Sequence, residues 1–239
     1  MIRSFRIAFA PLLLTFGVLS QAQAAQVYFN NFSTGAGPEW TNPTTTTSNG
    51  EAFLGQSANG FGAGTDTLTL TGLAPHTSVT LDYDLYIIQS WDGNGPAGGG
   101  PDNWQTTAGG VNLLFTNFAN FTGFGNTQAY TNQLPPFGPG GTFAPRTGAS
   151  AAGHLGFGTG DFGDATYHFS HTFSNAASSL AFAFTSFQNQ APGDEGWGLD
   201  NVRVTINGTP AAVPEPASLA LLLAGMVGLG LTRRRNSSK

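Results

Sequence analysis

The chain alternates apolar and polar residues with a period of two over most of its middle, the pattern of half-buried β-strands. Val79, Leu81, Tyr83, Leu85 and Ile87 share one face of a long predicted strand, with Thr80, Asp82, Asp84 and Tyr86 on the other. Leu68 and Leu70 alternate with threonines. Tyr167, Phe169, His171 and Phe173 alternate with His168, Ser170 and Thr172. Leu180, Phe182 and Phe184, then Val202, Val204 and Ile206, complete the set, and shorter strands are predicted at 26–32, 51–55 and 110–115. No helical period is sustained between residues 26 and 207. Strands without intervening helices exclude a parallel α/β fold and predict an all-β antiparallel β-sandwich, jelly-roll-like in outline. Residues 89–109 and 116–165 read as long Gly/Pro- and Gly/Asn/Phe-rich loops, the second hiding one or two short strands or packing its phenylalanines over the sandwich edge. The threonine run 44–47 reads as a surface loop.

The two ends follow a different logic. Arg3 and Arg6 precede an apolar run from Ile7 to Leu19, and Ala22-Gln23-Ala24-Ala25 offers small residues to a signal peptidase. This order predicts a signal peptide over 1–25. At the other end, Val213-Pro214-Glu215-Pro216 leads into an uncharged stretch from Ala217 to Leu231, closed by Arg233, Arg234 and Arg235. The stretch only just reaches the roughly 17–20 apolar residues that a spanning helix needs, so a single transmembrane helix is expected over about 217–232. Its basic cluster would stay cytoplasmic. The expected organisation is a signal peptide (1–25), a sandwich domain (26–207), a linker (208–213) and a tail (214–235).

Pro214-Glu215-Pro216, the short apolar helix and the terminal arginines together resemble the PEP-CTERM protein-sorting signal. That resemblance implies an exosortase as partner, acting near the Pro-Glu-Pro motif. It also implies export to the outer surface or extracellular matrix of a Gram-negative, biofilm-forming bacterium, with transient anchoring in the inner membrane. It extends over the tail alone.

Charge sharpens the picture of the domain. Six of the eight basic residues lie in the two ends, leaving Arg146 and Arg203 against 12 acids, a balance near −10. So acidic a domain has no electrostatic footprint for nucleic acid, and it has carboxylates to spare for a cation. Cysteine is absent, so no disulfide staples the domain.

Counting back by two from Ile206 through Val204 and Val202 places Asp200 on the apolar face, where an unpartnered carboxylate is costly. Two readings follow. Asp200 caps backbone amides at the strand start, or it joins some of Asp92, Asp102, Glu195 and Asn31 around a structural calcium ion, which favours carboxylate and carbonyl oxygens. Trp91, Trp104 and Trp197 in loops, with Tyr86 on a polar strand face, are candidates for stacking on sugar rings; the alternative is that they cover the sandwich ends. The run Ser90-Trp91-Asp92-Gly93, then Gly100-Pro101-Asp102, then Asp194 to Val202 resembles secreted lectin-like and carbohydrate-binding jelly-roll domains.

The chemistry of turnover is thin. There is no cysteine nucleophile, no Gly-x-Ser-x-Gly, and the four histidines form no zinc motif. His171, on the apolar face, reads as a hydrogen-bonded core residue. The expectation is a non-catalytic exported protein that binds extracellular polysaccharide. The alternatives are a self-associating structural surface protein and a secreted polysaccharide hydrolase, whose paired carboxylates the sequence does not reveal.

Overall fold

The computed structural model describes residues 24–95 and 99–208. Its strands are β1 (Ala24–Asn30), β2 (Thr45–Ser48), β3 (Glu51–Leu54), β4 (Gly64–Thr71), β5 (Ser78–Gln89), β6 (Asn103–Ala108), β7 (Val111–Asn117), β8 (Ala151–Ala152), β9 (Asp164–Ser174), β10 (Ser179–Ser186) and β11 (Glu195–Asn207). One 3-10 turn spans Gly123–Gly125. All strand pairs are antiparallel. The larger sheet runs β2-β3-β11-β5-β9-β8, and β1 also pairs with β11; the smaller runs β4-β10-β6-β7.

The two sheets bury their inner faces against each other. Leu81, Tyr83, Leu85, Leu199 and Val204 from the larger sheet share one apolar cluster with Leu68, Trp104, Phe182 and Phe184 from the smaller. Trp104 and Trp197 meet edge to face across the sandwich, ring centroids 4.9 Å apart. The Tyr83 and Thr106 hydroxyls hydrogen-bond at 2.7 Å between the sheets, satisfying a buried phenol. A second, smaller cluster (Phe53, Tyr86, Ile88, Leu155) lies on the other face of the larger sheet.

The two outer faces differ in chemistry. The larger sheet carries Asp82, Asp84, His168 and Arg203 outward, with Asp82 opposite Arg203 and Asp84 opposite His168 in register. The smaller carries Thr65, Thr67 and Thr69 on β4, Ala183 and Thr185 on β10 and Gln105 on β6, in neighbouring registers and without a charge.

Three expectations need correction. The threonine run is not a surface loop: Thr45–Ser48 is β2 and pairs with β3 through Asn49-Gly50, both at positive φ (51° and 84°). That is the backbone of a two-residue hairpin whose twist matches its strands. The stretch 89–109 is not loop throughout, since 103–108 is β6, joined to β7 by Gly109-Gly110 at φ 56° and 80°. The last strand begins at Glu195, well before Val202. The stretch 116–165 does hold one short strand, β8.

Ala24 and Ala25 pair with Asn207 and Ile206, so β1 starts within the expected signal-peptide range. The rest of that segment, the linker beyond Gly208, the sorting tail and the expected helix at 217–232 lie outside the described residues. Among the described residues no helix is long and apolar enough to cross a membrane.

Candidate metal centre

β11 does not keep a strict alternation. Asp200 pairs with Asp84, but the next pair is Arg203 with Asp82, so β11 spends one residue more than β5. The extra residue is Asn201, at φ 50°, and a β-bulge of this kind reverses which face the following residues occupy. Val202 and Val204 point into the sandwich, as do Trp197 and Leu199, whereas Asp200 points to the opposite face beside Tyr86. The inward position inferred for Asp200 by counting is therefore wrong.

Asp200 is nonetheless buried, and its partners are local. Its carboxylate accepts from the Asn201 backbone N–H at 2.7 Å and from the Tyr86 hydroxyl at 3.2 Å. Burial first, with Glu51 adding to it, raises its pKa to about 7. Glu51 lies 3.3 Å from His154, and Asp84 lies 2.8 Å from His168. Asn31 is elsewhere again, accepting at 2.8 Å from the Ser33 hydroxyl just after β1. Neither Asp200 nor Asn31 joins the other three proposed ligands.

Those three do converge. Asp92, Asp102 and Glu195 offer carboxylate oxygens that all lie within 4.8 Å of one another. Asp92 follows β5, Asp102 immediately precedes β6, and Glu195 opens β11, so the cluster sits where strand ends of both sheets meet. Backbone contacts set the geometry. Ser90 N–H donates to the Asp194 carbonyl at 2.7 Å, Asp102 N–H to the Gly93 carbonyl at 3.0 Å, and Asp92 N–H to Asp102 Oδ2. Gly196 follows Glu195 because a Cβ there would lie 1.7 Å from the Asn59 carbonyl oxygen.

Asp102 and Glu195 are fully buried. Asn126 donates to Asp92 Oδ1 at 2.6 Å, and the Gln190 side chain and backbone N–H donate to the two Glu195 oxygens, each at 3.2 Å. Asp102 Oδ1 is buried and accepts no amide or hydroxyl hydrogen, and Asn126 Oδ1 is likewise without one. Neither arginine of the domain compensates. Arg146 is bound to the Thr159 and Gly160 carbonyls, and Arg203 lies over the Phe29 ring.

Burial raises the proton affinity of all three carboxyl groups, and neighbouring negative charge adds to this at Asp102 and Glu195. Burial, then the charge of Asp102, lifts Glu195 to about 9; burial lifts Asp102 to about 6, with Asp92 adding to it, and burial also lifts Asp92. Asp102 and Glu195 stand close enough to share a proton. The chemistry of the cluster is thus to hold either that proton or a cation. Oxygen donors without nitrogen or sulfur suit a hard cation such as calcium. Sequence reasoning missed Asn126 and Gln190, for nothing in the Gly/Asn-rich stretches around them marks one amide over another.

The aromatic candidates have to be reassigned. Trp91, Trp104, Trp197 and Tyr86 are buried, so none presents a ring face to a sugar. Each polar tip is satisfied inside the protein: Trp91 and Trp197 donate to the Gly196 and Gly62 carbonyls, both at 2.7 Å, Trp104 to the Thr106 hydroxyl at 3.0 Å, and Tyr86 to Asp200. A large ring with its one polar group paired belongs in a core. His171 is also at the inner face, 5.8 Å from the Phe169 ring in a stacked arrangement, but its Nε2 has no hydrogen-bond partner.

No curated protein matches the chain. Solved structures that it resembles include the C-terminal CBM6 of LamC, a laminarinase of Zobellia galactanivorans (10% identity, 77% of this chain and 99% of that one, TM-score 0.36). A CBM35 from Cellvibrio japonicus Abf62 is 9% identical over 80% of this chain and all of that one, with a TM-score of 0.31. Latent PorU of Porphyromonas gingivalis is 10% identical at a TM-score of 0.39, but the match covers only 14% of that protein. At such scores no binding or activity transfers. The sequence comparison is sharper: residues 212–235 match the PEP-CTERM protein-sorting motif, and the chain is accordingly an exported, envelope-associated protein carrying that signal.

Proposed function

We propose that the protein is an exosortase-sorted surface or matrix protein of a Gram-negative envelope. Its jelly-roll-like domain binds extracellular polysaccharide without cleaving it and is stabilised by one calcium ion held by Asp92, Asp102 and Glu195. The observation that carries the calcium reading is the fully buried Asp102, one oxygen of which accepts no amide or hydroxyl hydrogen, while two more carboxyl groups share its surroundings and neither arginine of the domain reaches them. The sorting motif carries the location: signal peptidase and exosortase are the processing partners, and anchoring through the tail is transient.

Burial also favours binding over turnover. A glycosidase needs its two carboxyl groups on either side of the scissile bond, and Asp102 and Glu195 are closed to a substrate. The test is to incubate the purified protein with the host's own polysaccharide, measuring co-sedimentation and the release of reducing ends. Co-sedimentation without new reducing ends supports the reading; steady release of reducing ends favours a hydrolase, and neither favours a structural protein without a glycan ligand.

A further inference from the structure

The smaller sheet's outer face is uncharged in a domain whose overall balance is near −10. At one side it carries an aromatic group. Phe115 on β7 sits between Phe137 and Phe187, with ring centroids 5.9 and 6.2 Å away and both neighbours nearly perpendicular to it. Phe137 and Phe187 are 49% and 47% exposed. Beside Phe115 runs a chain of side-chain amides: Gln105 donates to Asn112 at 3.1 Å, and Asn112 donates to Gln133 at 3.0 Å. Gln133 Oε1 also accepts the Phe115 backbone N–H at 3.2 Å, which ties the amide chain to the aromatic group. The chain ends in the Gln105 carbonyl oxygen and the Gln133 amide nitrogen, neither of which has a protein partner among the described residues.

We propose that this face is the polysaccharide-binding surface and that it takes a neutral glycan, an inference that rests on the polysaccharide reading above. The C–H faces of pyranose rings pack on Phe137 and Phe187, and sugar hydroxyls bond the free amide groups of Gln105 and Gln133. The charge balance selects the ligand. An anionic polymer meets the repulsion of the whole domain and finds no cation on this face, whereas a neutral chain of hydroxyls loses nothing to it. A second copy of the protein fits less well. Homodimer interfaces are about 65% apolar, while threonine, glutamine and asparagine surround the few exposed rings here.

The test is affinity electrophoresis of the mature protein, as an exosortase-bearing host processes and displays it, through gels containing neutral glucans, mannans and galactans or anionic alginate and polygalacturonate. Wild type is expected to be retarded by at least one neutral polymer and by neither anionic one. Phe137→Ser with Phe187→Ser, and separately Gln133→Ala, should weaken retardation at least tenfold. Phe29→Ser, an exposed phenylalanine on the larger sheet, should leave it unchanged. Circular dichroism melts establish that each variant folds. Neutral-polymer binding unaffected by folded variants would overturn the face and leave the polysaccharide reading standing. Retardation by anionic polymers alone would overturn the neutral ligand, and retardation by none would overturn both. A wild-type dimer in sedimentation velocity that the double variant converts to monomer would assign the face to self-association instead.

Discussion

Asp102 stands at the head of a strand in one sheet and Glu195 opens a strand in the other, yet their carboxyl groups lie within 4.8 Å and buried. The contact joins the two layers of the sandwich at one end, in a domain without a disulfide. Its stabilising effect depends on what sits between the two groups.

Without a cation the protein should lose stability as pH rises. Glu195 has a folded-state pKa raised from 4.5 to about 9. A raised acid contributes stability that is complete below its unfolded value and lost as pH climbs through the folded one. Asp102, raised from 3.8 to about 6, acts in the same sense over a lower window. Urea midpoints in EDTA should therefore fall between pH 5 and pH 9. Calcium, which binds the ionised cluster, should flatten that fall. Equal slopes with and without calcium would count against the site.

The tryptophans should report packing, not ligand. Trp197→Ala removes a ring packed against Phe61 and Trp104 and should cost about 3–5 kcal/mol in equilibrium unfolding. In wild type, tryptophan emission should be blue-shifted, resist acrylamide and stay unchanged when polysaccharide is bound. Quenching by a sugar polymer would show a ring face that this fold does not offer.

Tyr86→Phe should destabilise by about 1–3 kcal/mol, because the buried Asp200 carboxylate loses one of its few donors. Chemical denaturation checks the magnitude, and polysaccharide affinity of the folded variant should equal that of wild type. A Tyr86→Phe variant as stable as wild type would mean that the hydroxyl bond contributes nothing.

Replacing Pro214, Glu215 and Pro216 by alanine should leave the chain unprocessed in an exosortase-bearing host. The intact mass of the protein recovered from membrane and surface fractions reads this directly: a longer, membrane-held species is expected for the variant. Identical masses and distribution would remove the sorting role of the motif.

The long strands were legible where one face is buried, which forces alternation: β10 carries it throughout, β5 as far as Leu85 and β9 from Tyr167 on, while Leu85–Ile88 and Asp164–Tyr167 are buried on both faces. β2 and β6 were not, because threonine-rich and mixed polar strands look like loops when side chains alone are weighed. Their turns, Asn49-Gly50 and Gly109-Gly110, carried the missing signal, since paired positive φ values are what such dipeptides supply. Asp200 shows the opposite failure. Its neighbours alternate well, but one inserted residue at Asn201 inverts the count, and nothing in Leu199-Asp200-Asn201-Val202 announces a bulge. The convergence of Asp92, Asp102 and Glu195 depends on the ends of three strands meeting, which periodicity does not encode. The buried tryptophans were misread because aromatic residues in Gly-rich stretches look exposed until the stretches fold back onto the core.

The most direct test of the central claim is the thermal midpoint of wild type and Glu195→Gln at pH 8, in EDTA and in millimolar calcium. Calcium should raise the wild-type midpoint, since a ligand at 100 times its Kd adds about 2.7 kcal/mol to the native state. Glu195→Gln, which removes the charge and keeps the shape, should melt at the same temperature in both buffers and above wild type in EDTA. A wild-type midpoint indifferent to both chelator and calcium would contradict the account.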